Sequence, residues 1–305
     1  MGGLDHKQLE KLVDPLRVPA GKKVSLPKDF DPGYTADFVT KEDAEEHLRA
    51  GVEMLRDYQE RLAAQDIYAL LVVLQGLDAS GKDGTIEHVM SGVNPQGVSV
   101  TSFKTPSSLE LDHDFLWRHQ VALPARGQIG IFNRSHYEEV LVVRVHPQYL
   151  KGQRLPAEGD GDTIWERRYR EINDWERHLV DNGTRVVKLF LNVSREEQRR
   201  QFLERVDDPT KSWKFSAADV AEREYWDDYQ KAYAAMLGAT STSWAPWHVI
   251  PADHKWFARL AAAAVIISAL ADIDPRFPEA DDEKKEEMAA AKRQLEAEAP
   301  DERGR

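Results

Sequence analysis

The chain has 305 residues and no cysteine. That absence excludes disulfides and thiolate metal sites, and it fits a reducing cytoplasm. Long apolar runs are missing too. The longest, LAAAAVIISAL from Leu260, has the length of a core helix rather than of a membrane span. The N-terminus, MGGLDHKQLEK, lacks the basic-then-apolar order of a secretory signal. Basic residues are in deficit, 41 Lys and Arg against 53 Asp and Glu, for a net charge of −12. An acidic average argues against a general nucleic-acid binder, while leaving room for a local cationic channel. No internal repeat stands out. These absences point to a cytoplasmic domain without a membrane or nucleic-acid partner.

What is present alternates. Residues 1–40, punctuated by Pro, Gly and Lys, read as an arm packed on a domain. From Thr40, TKEDAEEHLRAGVEMLRDYQERLAAQ carries a capping signature and helical periodicity. Five short apolar runs follow: YALLVVLQG, GVSVTSF, QIGIFNRS, TRVVKLFLNVS and WHVIPA. The spacing predicts helices near 82–92, 109–122, 162–182, 195–208 and 216–237, and another over HKWFARLAAAAVIISALADI. Five strands separated by helices imply an α/β fold with a parallel sheet between two helical layers. The catalytic domain is expected at 41–277. The Ala/Glu-rich end, 278–305, reads as a solvated helix or frayed tail.

The first apolar run leads into GLDASGKDGT, where Gly76, Gly81 and Lys82 keep the Gly-x₄-Gly-Lys spacing of a phosphate loop. Glycine and lysine are common enough that the bare pattern carries little. Its place between a strand and a helix carries more, because that order aims backbone N–H groups and a helix N-terminus at one anion. Ala79, Ser80 and Gly84 complete the loop. Asp83 stands where the pattern has a Mg²⁺-binding hydroxyl. It is either a first-turn acid favoured by the helix dipole or a partner of a metal. Asp78 is a direct or water-mediated Mg²⁺ ligand in this reading, with Mn²⁺ as a substitute, and Thr85 is a late hydroxyl.

The third run delivers Asn133 and Arg134 at its C-terminal end, where ligands of open parallel sheets bind. Arg134 presents a fork to phosphate oxygens; its structural alternative is an ion pair with Glu138. His136 reads as a structural histidine. Lys104 and Arg118 are phosphate-binding candidates or ordinary surface cations. After LFLNVS, Ser194 is placed to cap a helix carrying Arg195, Arg199, Arg200 and Arg205, and a loop with Lys211 and Lys214 follows. These cations either form a solvated face or close over a phosphate chain.

Three blocks, LLVVLQGLDASGKDGTIEHVMSGVNPQG, SFKTPSSLELDHDFLWR and GIFNRSHYEEVLVVRVHP, together resemble the polyphosphate kinase 2 family. The likeness runs from about Leu12 to Phe277 and is densest between Leu70 and Pro147. It implies a P-loop kinase-like three-layer α/β/α sandwich with a helical lid at about 195–217. It also implies transfer of phosphoryl groups from inorganic polyphosphate to adenine or guanine nucleotides, and a homo-oligomer. In that resemblance Asp78 and Lys82 are the essential acid and the phosphate-contacting lysine. Arg134 is the third catalytic residue. Gly76, Ala79, Ser80, Gly81, Asp83, Gly84, Thr85, Lys104, Arg118, Asn133, Glu138, Arg199, Lys211 and Lys214 bind phosphate or nucleotide. Asn133, where some branches carry Asp, resembles the branch acting on both AMP and ADP. The rival readings are an ATP-dependent nucleoside monophosphate kinase, a nucleotide switch (for which the Asn-Lys-x-Asp motif is absent), and a non-catalytic polyphosphate-binding module.

Overall fold

The computed structural model describes residues 6–36, 40–156 and 163–298. Parts of the expected arm and tail at 1–5, 37–39 and 299–305, residue 162 of one predicted helix, and the side chain of Lys214 lie outside the described residues. All five strands expected from the apolar runs form: β1 Ala69–Gly76, β2 Val98–Ser102, β3 Ile129–Asn133, β4 Thr184–Asn192 and β5 Trp247–Pro251. They make one parallel sheet in the order β2-β3-β1-β4-β5. β1 is buried along its whole length, as a near-continuous apolar run between two helical layers requires.

The longer helices are α1 His6–Val13, α2 Lys41–Gln65, α3 Lys82–Val89, α4 Thr163–Asp181, α5 Arg195–Asp207, α6 Trp226–Thr240, α7 Lys255–Ile273 and α8 Asp282–Ala297. One face of the sheet packs against α1, α2 and α7, and the other against α4 and α6. By length and hydropathy alone α7 reaches what a membrane span needs, beyond the apolar run read from sequence, yet it is mostly buried as a core helix. Thr40 caps α2 by accepting from Asp43 N (3.1 Å), and Ser194 caps α5 by accepting from Glu197 N (3.1 Å).

The predicted 109–122 and 216–237 helices are each broken. Ser108–Leu111 and Trp117–Gln120 are separate short helices, because Asp114 takes Leu116 N (2.9 Å) in a local turn. A 3₁₀ turn over Glu222–Tyr225 separates Ala217–Ala221 from α6. Leu12, Leu16 and Val18, near the start of the chain, are fully buried, and Val18 N donates to Trp247 O (2.9 Å). The tail helix α8 buries nothing.

The strand order positions the site. From β1 the chain crosses to β2 at one edge; from β3, β1's neighbour, it crosses the other way to β4. The carboxyl ends of β1 and β3 therefore open onto a topological switch point, where open α/β sheets bind ligands.

Candidate active site

Gly76 ends β1 because nothing larger fits. A Cβ there would lie 2.5 Å from Ser80 Oγ and 3.2 Å from the Leu191 backbone oxygen. The loop then turns through two left-handed residues, Ala79 (φ +63°) and Gly81 (φ +96°), before α3 begins at Lys82. Ala79 is strained in this region, and such strain concentrates where backbone is shaped for a ligand. Thr85 N is the first amide to bond back toward the loop, to Gly81 O (2.9 Å). The amides of Lys82, Asp83 and Gly84 make no backbone hydrogen bond among the described residues, and α3 aims them at the loop's concavity. Ser80 Oγ, also buried, has no partner there either. A phosphate fits this donor set.

Lys82 is 9% exposed and folds back over the loop, donating to Gly76 O (2.6 Å) and Leu77 O (3.1 Å). Burial, reinforced by the nearby Arg134 charge and opposed by Asp78, Glu138 and Asp83, pulls its pKa down to about 8. At the end of β3, Arg134 adopts a left-handed backbone (φ +62°) fixed by its N–H donating to Leu74 O (3.0 Å). Its guanidinium pairs with the Asp78 carboxylate and lies 3.7 Å from Glu138. Burial works against that charge, but Glu138 and Asp78 outweigh it and hold Arg134 above the ordinary arginine range. Burial also raises Glu138, against the pull of Arg134 and Lys82.

The loop lines a cavity of about 570 Å³. Asp78, Lys82, Asn133 and Arg134 share it with Lys104, Lys211, Arg205, Lys255 and Arg259. On the other side of the Asp78–Arg134 pair is a second cavity, about 200 Å³, walled by Tyr149, Trp226, Tyr229 and Tyr233. Asp78 and Arg134 border both.

The sequence-predicted residues mostly converge. Ala79, Ser80, Gly81, Asp83, Gly84 and Thr85 line the larger cavity, and Gly76 and Glu138 the smaller. Asn133 donates to Asp83 (2.7 Å), so the two departures from common loop patterns are partners. Two residues do not arrive. Arg118 is buried beneath its loop, donating to Lys104 O (2.7 Å) with its guanidinium over the Phe103 ring, and it lines a separate cavity. Arg199 is engaged by Glu196 three residues earlier and does not line the loop cavity; Arg200 is likewise held by Glu197 (2.5 Å). Both arginines are thus placed on the outer, solvated face of their helix.

A model of the polyphosphate kinase 2 family matches residues 38–278. The chain belongs to that family. It is 49% identical over 283 residues to the protein named ADP-polyphosphate phosphotransferase of Rhodopseudomonas palustris, covering 92% of this chain and 96% of the relative. It is 44% identical over 253 residues to the AMP/ADP-polyphosphate phosphotransferase of Meiothermus ruber, covering 83% and 91%. Its fold superposes on the crystal structure of polyphosphate kinase 2 from Arthrobacter aurescens with a TM-score of 0.83 at 41% identity, covering 93% and 95%. The P-loop kinase-like α/β architecture implied by the resemblance is the one found.

Sequence reasoning missed several residues that this family member brings to the site. Gln198 of α5 donates to Asp78 O (3.0 Å), tying that helix to the phosphate loop. Beside Arg205, already named among the helix cations, Lys255 and Arg259 complete the cationic lining. The last two carried a signal: cations four apart at the start of an otherwise apolar helix. The aromatic wall came from Tyr149, Trp226, Tyr229 and Tyr233, which no local pattern joins.

Proposed function

We propose that this chain moves the terminal phosphoryl group of inorganic polyphosphate to the phosphate end of AMP or ADP, reversibly. One observation carries the reading: the Asp78–Arg134 pair is the common wall of a cationic cavity and an aromatic one. The cationic cavity suits the donor, whose charge a protein of net −12 repels except where cations are concentrated. The aromatic cavity suits the acceptor's nucleoside, whose ring stacks on such walls. The names of the relatives support adenine nucleotides as acceptors, and that of a GDP-polyphosphate phosphotransferase from Pseudomonas aeruginosa, 38% identical over 196 residues, keeps guanine in view.

Arg134 stands where donor and acceptor meet. An oxygen of the acceptor's terminal phosphate attacks the donor's terminal phosphorus in line; that P–O bond forms as the bond to the rest of the chain breaks, leaving polyphosphate one unit shorter. Little covalent work falls to the protein, so catalysis is positioning and charge neutralisation. Lys82 and the free amides of α3 hold the donor, and Arg134 takes up charge on the transferring group. For that, Arg134 exchanges part of its contact with Asp78 for phosphate oxygens. Residues 195–217 act as a lid, bringing Arg205 and Lys211 over the donor and excluding water.

Asp78 and Asp83 are hard-oxygen ligands beside the loop, and the described residues contain no cluster of three or more acidic or histidine ligands. That set fits Mg²⁺, which needs only one or two carboxylates beside phosphate oxygens and water; bound there, it neutralises phosphate charge. A homo-oligomer is part of the proposal. The test is a panel of donors and acceptors: the protein with polyphosphate, Mg²⁺ and AMP or ADP, with products separated by chromatography. The next nucleotide up is expected with polyphosphate. Product with ATP and AMP but not with polyphosphate would make the chain an ATP-dependent kinase instead.

A further inference from the structure

Arg259 is out of character for its helix. α7 buries nearly every side chain from Phe257 to Leu270, yet Arg259 sits among them half-buried. Desolvation weakens its hold on the proton, with the field of Glu87 opposing. It makes no hydrogen bond or ion pair among the described residues. An arginine that is only structural would be expected to have a carboxylate or carbonyl partner at this depth.

Its position suggests what it is for. Arg259 lines the phosphate-loop cavity and also a further cavity of about 350 Å³, so the two share it as a wall. The further cavity lies between α2, α3 and α7 and includes Arg49, His88 and Trp256. Glu45 is the one carboxylate among its lining residues. Arg49 is exposed and, like Arg259, makes no ion pair among the described residues. Between the cavities lies Gly84, where a Cβ would come 3.9 Å from Arg259 Nη2. The first turn of α3 therefore presents bare backbone along the path, so a phosphate chain can pass close to it.

We infer that the donor chain continues from the loop cavity over Gly84 and past Arg259 toward Arg49, and that this extension sets the preference for longer polyphosphate. The inference rests on the polyphosphate reading above and adds what that reading leaves open, namely where the units beyond the reacting ones lie. Short donors end at the loop; long donors gain Arg259 and then Arg49. A linear polyanion of about one charge per unit is the ligand this path fits, because its spaced cations demand no particular ring or headgroup.

The experiment compares tripolyphosphate with long-chain polyphosphate as donor, at fixed acceptor, for wild type, Arg49→Gln and Arg259→Gln. Wild type should show a lower KM, per chain, for the long donor. Arg259→Gln should raise the long-chain KM about tenfold, the worth of one charge-assisted contact. Arg49→Gln should shrink the ratio of short- to long-chain KM about threefold, with kcat for either donor little moved. Each substitution should also flatten the dependence of log KM on log salt for the long donor, since fewer ions are released when a contact is lost; a merely structural defect has no reason to do so. If both variants keep the wild-type length ratio and salt slope, the extension is wrong and the donor assignment stands. If wild type turns over neither polyphosphate but does use ATP, the donor assignment fails and takes this inference with it.

Discussion

Lys82→Met should make the protein more stable and nearly inactive. The lysine is almost wholly buried, and its pKa falls from 10.5 to about 8, mainly through burial and the adjacent Arg134. A shift of that size means that holding the charged form in place costs about 3 kcal/mol at neutral pH. Methionine, of similar length and no charge, removes that cost. It also removes the bonds to Gly76 O and Leu77 O, each worth about 1 kcal/mol. The net gain is about 1 kcal/mol, a rise in Tm of about 2–4 °C for a domain of this size. The pH dependence has a definite sign. Between about 8 and 10.5 the folded lysine is neutral while the unfolded one still holds its proton. The unfolded state then binds more protons, so wild-type stability rises with pH relative to the variant. Calorimetry of both proteins at pH 7 and near pH 10 should show the gap closing and then reversing in favour of wild type. Phosphotransfer should fall at least about a hundredfold, the order of losing one transition-state donor. A variant less stable than wild type at pH 7, or a gap indifferent to pH, would refute the idea that Lys82 is held there at a cost in stability.

Other perturbations follow from the same structure. Gly76→Ala drives a Cβ to 2.5 Å from Ser80 Oγ and 3.2 Å from Leu191, so it should distort the loop and cost about 1–3 kcal/mol, seen as a lower denaturation midpoint together with weaker donor binding. Lys188 and Glu176 form a fully buried ion pair at 2.6 Å, joined by Tyr137. Lys188→Met leaves Glu176 uncompensated and should cost about 3–5 kcal/mol, while Lys188→Met with Glu176→Leu should recover much of it in equilibrium unfolding. Burial keeps His119 well below its ordinary pKa, lowers His136, and holds His248 at about 3. Unfolding lets each take a proton near 6.5, so stability should fall as pH drops below that value, by up to about 1.4 kcal/mol per pH unit for each histidine. Replacing His248 by Gln should flatten the acid limb of a Tm-against-pH curve.

Much of this was legible because the deciding signals are local. The five strands announce themselves as β-branched runs, and the phosphate loop needs only glycines and a lysine at fixed spacing after one of them. Thr40 and Ser194 mark helix starts through the same side-chain-to-amide bond in sequence and in structure. What stayed hidden depends on distant packing. Lys104 and Arg118 look alike in sequence, but the tertiary fold sends one into the cavity and buries the other beneath the same loop. Arg199 and Arg205 belong to one helix, yet Glu196 captures the first while the second lines the phosphate-loop cavity. Asn133 and Asp83 are fifty residues apart, and only strand pairing reveals them as partners.

The central claim is that Arg134 neutralises charge on the phosphoryl group as it moves between the two cavities, so Arg134→Lys is the most direct test. Lysine keeps the charge and the pairing with Asp78 but loses the planar fork. Steady-state rates with polyphosphate and ADP should show kcat falling about a hundredfold or more, with both KM values within a few-fold of wild type. An unchanged kcat with a raised KM would place Arg134 in binding alone and contradict the account.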